Sequence, residues 1–162
     1  MEQVFVEMIN KHRGIIYKVC NLYAVDREDK NDLFQEIVLQ LWRAFPSFRE
    51  ESKQSTWMYR IALNTAITNF RKDSKRPERR ELSIDEFQIP DLGTYSEENE
   101  QMLMLKQAID ALTEIEKAII LLYLEEKSYE EISEIIGISK SNVGVRINRI
   151  KAKLEKIIKR ER

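Results

Sequence analysis

Cysteine and histidine occur once each, as Cys20 and His12. One cysteine forms no internal disulfide, and the pair cannot supply a structural metal cluster. The chain also has only four glycines and three prolines. No glycine-rich phosphate loop can be assembled from them, and the turn chemistry of an all-β fold is missing. The longest apolar run, AIILLYL at 118–124, is far too short to cross a bilayer. The opening MEQVFVEMINKHRG is too interrupted by charge for a secretory signal. These absences exclude most routes to catalysis. They lead to the expectation of a cytoplasmic, non-enzymatic protein with no cofactor, no metal and no membrane insertion.

What is present is helical. Hydrophobic residues make up 43% and charged residues 34% of 162, enough for modest helical cores. The net charge is −1, but its distribution is uneven. Residues 127–162 hold ten basic and five acidic side chains, and residues 77–100 hold two basic and eight acidic. Such segregation points to different tasks for different segments.

Residues 2–23 carry Phe5, Met8, Ile9, Ile15, Ile16, Val19 and Tyr23 at helical spacing, which predicts one helix. His12 falls on that stripe as a structural side chain, and Cys20 as a small core residue. Asp26 is placed to cap a second helix over 27–45, with Leu33, Ile37, Leu41 and Phe45 inward and Pro46 ending it. A third helix starts at Ser55 or Thr56 and carries Trp57, Ile61, Ala62, Ala66, Ile67 and Phe70. Residues 77–96 hold two prolines and no period, and read as a linker between domains at 1–76 and 97–162. The second domain opens with a helix near Glu97. Thr113 with Glu116, and Ser128 with Glu131, form two capping boxes that mark two further helix starts.

The stretch SYEEISEIIGISKSNVGVRINRIKAKL then reads as a helix–turn–helix. Ile132 and Ile136 face inward, Ser133 is small, and Gly137 supplies the turn. Ile138 plugs the core, Ser139 caps the next helix, and Val143, Ile147, Ile150 and Leu154 form its inner stripe. The outer face bears Lys140, Ser141, Asn142, Asn148, Arg149, Lys151 and Lys153. Asn pairs with adenine and Arg with guanine in a major groove, while the other cations hold phosphates. The bland alternative is a solvated basic face.

Two upstream stretches extend the reading: NDLFQEIVLQLWRAFPSF and STWMYRIALNTAITNFRK. With LTEIEKAIILLYLEEKSYEEISEIIGISKSNVGVRINRIKAKL, they resemble bacterial RNA polymerase sigma factors of the extracytoplasmic-function (ECF) class. The resemblance implies an all-α fold of two small helical bundles joined by a linker. It implies core RNA polymerase and promoter DNA as partners, and an anti-sigma factor as the external control. In that family the helix of DLFQEIVLQLW meets the polymerase clamp, which assigns Asp32, Gln35, Glu36 and Leu39 to polymerase binding. Arg60, Asn64, Thr68 and Arg71 step by four or three and share one face. The resemblance gives that stripe, the preceding loop at 48–55 and the cations Lys72, Lys75 and Arg76 to the melted minus-ten element, with Asn64 at a flipped base. It gives Lys140, Ser141, Asn142, Arg146, Asn148, Arg149 and Lys151 to the duplex minus-thirty-five element. Many members carry a basic residue and then serine before the arginine of this helix. Here Gly144 and Val145 precede Arg146, which removes a donor and weakens helix propensity. The acidic linker is expected to thread toward the polymerase active-site and RNA-exit region.

A dimeric helix–turn–helix regulator is the runner-up, with the first domain sensing or dimerising. An interaction protein that never touches DNA is the third reading. The Asn64 stripe argues against the first, and the basic surface near Arg149 against the second.

Overall fold

A computed structural model of the chain describes residues 1–51, 53–73 and 97–161. Its described residues are helical throughout their regular structure and form two compact units, parted between residue 73 and residue 97. The linker expected at 77–96 lies outside the described residues.

The first unit contains α1 (Glu2–Lys11), α2 (Arg13–Tyr23), α3 (Arg27–Ala44), a 3-10 turn (Phe45–Ser47) and α4 (Gln54–Asp73). Helices α2, α3 and α4 pack on one another. Ile16, Val19, Ile37, Leu41, Met58, Leu63 and Ala66 are sealed between them. Asp26 caps α3 as expected, its carboxylate accepting from the Asp29 N–H at 2.7 Å.

The single helix expected over 2–23 is broken. His12 leaves helical geometry at φ −114°, ψ 25°, and the Ile15 N–H bonds back to the His12 carbonyl at 3.0 Å. The apolar stripe survives on both pieces. The break lets Phe5 meet the end of α3 edge-on, 4.9 Å from the Trp42 ring and 5.3 Å from Phe45, while α2 packs along α3 and α4. His12 itself is half-buried, with Nε2 3.3 Å from Gln54 Oε1. Cys20 is buried, and desolvation lifts its thiol to about 11 against the opposing pull of Lys30.

Pro46 ends α3 by a different route from the one expected. Phe45 keeps helical angles, φ −58° and ψ −40°, so the residue before proline is not driven extended. Proline has no N–H to continue the ladder, and the chain tightens into the 3-10 turn instead.

The second unit contains α5 (Glu97–Asp110), α6 (Glu114–Leu124), α7 (Tyr129–Ile136) and α8 (Lys140–Glu161). Helix α8 packs against the other three, and α6 packs on α7. Both capping boxes are complete, at Thr113/Glu116 and Ser128/Glu131. Ile119, Leu122, Ile132, Val143, Ile147 and Ile150 make the core. One correction falls inside α7. Ile135 joins Ile132 as its second buried residue, and Ile136 is only half-covered. Another residue gave no signal at all: Lys117, on α6, is 5% exposed. Burial pulls its ammonium below the ordinary lysine value, against Asp110 and Glu114.

Candidate nucleic-acid interface

The geometry of the second unit begins with its turn. Gly137 closes α7 in the left-handed region at φ 85°, ψ 32°, where a β-carbon is disfavoured. The Ser133 hydroxyl donates to the Ile138 carbonyl across that turn. Ser133 therefore ties the turn as well as being small. Ser139 Oγ accepts from the Asn142 N–H at 3.2 Å and caps α8. These local bonds set the direction in which α8 leaves the turn.

Val143, Ile147, Ile150 and Leu154 are buried along one side of α8. On the opposite side Ser141, Asn148 and Arg149 are exposed, with Val145 between them. Lys140 is also exposed, and Asn142 and Arg146 are half-buried. Lys151 is exposed but engaged: its Nζ lies 4.4 Å from the centroid of the Tyr123 ring, and the tyrosine holds the ammonium above its ordinary value. Lys153 reaches Glu116 Oε1 at 2.9 Å. Burial alone would raise the Glu116 carboxyl, but its bonds to Thr113 and Lys153 outweigh this and hold it low. The basic residues of α8 thus divide. Arg149 stands outward, while Lys151 and Lys153 are drawn to α6.

In the first unit, α4 separates its two faces cleanly. Thr56, Trp57, Met58, Tyr59, Ala62, Leu63, Ala66 and Ile67 are buried. Arg60, Asn64, Thr68 and Arg71 are all exposed, as one stripe along the other side. Lys72 is exposed at the end of that helix, and Lys75 and Arg76 lie outside the described residues. The segment before α4 is pinned by Phe48, whose ring lies 4.7 Å from that of Trp57. Glu50 in this segment has φ 57°.

On α3, Asp32, Gln35 and Leu39 are exposed, while Glu36 is half-buried and accepts from Gln40 Nε2 at 2.9 Å. Sequence reading missed one companion. Trp42 is 41% exposed, one turn beyond Leu39 at 40%. The step from Gln35 to Leu39 to Trp42 is four and then three, a spacing that continues the outward stripe.

Residues 8–76 match the sigma-70 region 2 family, and residues 102–154 match sigma-70 region 4. The ECF RNA polymerase sigma-E factor of Escherichia coli (strain K12) is 33% identical over 152 residues, covering 86% of this chain and 80% of its own length. The chain belongs to the ECF sigma factors. A second ECF sigma-E factor, from Haemophilus influenzae, is 29% identical to this sigma factor, across 95% of this chain and 87% of its own. Among solved structures, CnrH in complex with the cytosolic domain of CnrY shares the fold with a TM-score of 0.72 at 18% identity, over all of this chain and 92% of that one. The sigma factor RpoE of Bartonella quintana, in complex with the anti-sigma factor NepR, aligns at 0.66 and 20% identity, over 99% and 98%. Within this sigma factor, α3 and α4 lie in the region 2 match, and α6, α7 and most of α8 in the region 4 match.

Proposed function

We propose that this sigma factor binds core RNA polymerase and directs it to promoters, opening the minus-ten element with residues 1–76 and holding the duplex minus-thirty-five element with residues 97–162. Residues 77–96 connect the two. The observation that carries the reading is the presence, in one chain, of an exposed polar stripe on α4 and a capped helix–turn–helix. A regulator that only docks on duplex DNA needs the second and has no use for the first.

The roles divide by chemistry. Asp32, Gln35, Glu36 and Leu39 meet the polymerase clamp, joined by Trp42. An acid-bearing rim around two exposed apolar side chains suits a basic partner helix with an apolar centre. Asn64 holds an unstacked base, and Arg60, Thr68 and Arg71 follow the strand beside it. Taking a base out of the stack costs a few kcal/mol, so a pocket selective for one base couples recognition to melting. In α8, Ser141, Asn142, Asn148 and Arg149 address base edges, and Lys140 and Arg146 address phosphates. Lys151 reaches a phosphate only by giving up its seat on Tyr123. Bond formation belongs to the polymerase; this chain supplies position and strand opening. An anti-sigma factor that covers these faces would silence it.

Run-off transcription with core polymerase and a template library tests the proposal. Added protein is expected to give run-off from a subset of templates sharing two separated elements. No initiation at any sequence would overturn it.

A further inference from the structure

We propose that Val145 is a specificity residue that reads the 5-methyl group of a thymine in the duplex element entered by α8; this rests on the sigma-factor reading above. Val145 is 46% exposed, and its place on the helix gives that exposure a meaning. It lies opposite the buried stripe of Val143, Ile147, Ile150 and Leu154. Ser141 sits one turn before it, and Asn148 and Arg149 one turn after. It is therefore the centre of the outward face, the part of a recognition helix that goes deepest into a major groove.

Neither packing nor propensity accounts for valine here. The side chain lies outside the buried stripe, and a β-branched residue is a weaker helix former than alanine. Its neighbour Gly144 leaves the backbone bare, with the Tyr129 ring edge closing in from α7. The result is an apolar spot enclosed by polar readers. In a major groove the one apolar feature of the base edges is the thymine methyl. A valine set against cytosine or guanine would strip water from the N4 amino group or the O6 carbonyl and return no hydrogen bond. The same contact that favours thymine thus penalises the G·C pair.

The test uses holoenzyme and duplexes recovered by run-off selection. Each thymine of the upstream element is replaced singly by deoxyuridine, which removes the 5-methyl and nothing else, and affinity is read by competition. One position is expected to lose about fourfold, the equivalent of one methyl leaving an apolar contact. In Val145→Ser holoenzyme the sensitivity at that position is expected to vanish. Circular dichroism checks that the variant folds, as an exposed site should permit. If no thymine is sensitive, or if sensitivity persists in Val145→Ser, the inference falls and the sigma-factor reading stands. If no template is transcribed at all, that reading falls and takes the inference with it.

Discussion

Gly144→Ala is expected to stabilise the second unit. Gly144 is the fifth residue of α8, inside a helix that runs Lys140–Glu161. Glycine there costs about 1 kcal/mol relative to alanine, because it loses more backbone freedom on folding. The sign depends on what the new methyl meets. A β-carbon built at this position lies 3.4 Å from Tyr129 Cε2 and 3.8 Å from Cδ2, and meets no other atom within 4 Å beyond its chain neighbours and the adjacent backbone of its own helix. That is ordinary van der Waals contact with the edge of a partly exposed ring, so the propensity term wins. Tryptophan fluorescence will not detect the gain, since Trp42 and Trp57 both lie in the first unit. Amide hydrogen exchange at Ile147 and Ile150, buried in α8, reports it directly. Exchange there is expected to slow about fivefold, the equilibrium equivalent of about 1 kcal/mol. Unchanged or faster exchange would refute the argument, because it would mean that the Tyr129 ring is held too firmly to accept a methyl and that packing demands glycine.

Asn64→Ala is expected to slow open-complex formation more than it weakens polymerase binding; permanganate footprinting and core-binding titrations separate the two, and an equal loss in both would contradict the assigned role. Arg149→Ala should reduce promoter affinity by about 1–3 kcal/mol if its guanidinium meets a base edge, measured by competition with holoenzyme. Lowering pH should loosen the contact between α6 and α8. The Glu116 carboxyl is held below its ordinary value of 4.5, so its contribution is complete above that pH and fades as pH falls through 4.5 and below. A Glu116→Gln variant, monitored through exchange at Ile150, is expected to lose that part of the acid sensitivity.

What could be read from the chain was whatever is written locally. The helix starts of the helix–turn–helix, both capping boxes and the Gly137 turn depend on a few adjacent residues, and each appears as expected, although the second helix runs past Leu154 to Glu161. The outward stripe of α4 and the inner stripe of α8 follow from helical period alone, and their exposure and burial agree with it. What escaped depends on distant partners. The break at His12 reflects where Phe5 must go to meet Trp42 and Phe45. Ile135 is favoured over Ile136 because α7 is packed between α6 and α8, which no pattern within eight residues encodes. Lys151 reads as an open cation until Tyr123 is brought beneath it from another helix. Trp42 lies within reach of periodicity, but an aromatic at helical spacing passes for core.

The buried sulfhydryl at Cys20 offers a built-in clock. With burial lifting its titration to about 11, the thiol is almost wholly un-ionised at neutral pH. Because Cys20 is only 2% exposed, alkylating reagents must wait for the first bundle to breathe. As the chain has a single cysteine, each molecule is tagged once, and the growth of one mass increment counts those openings without any engineered label.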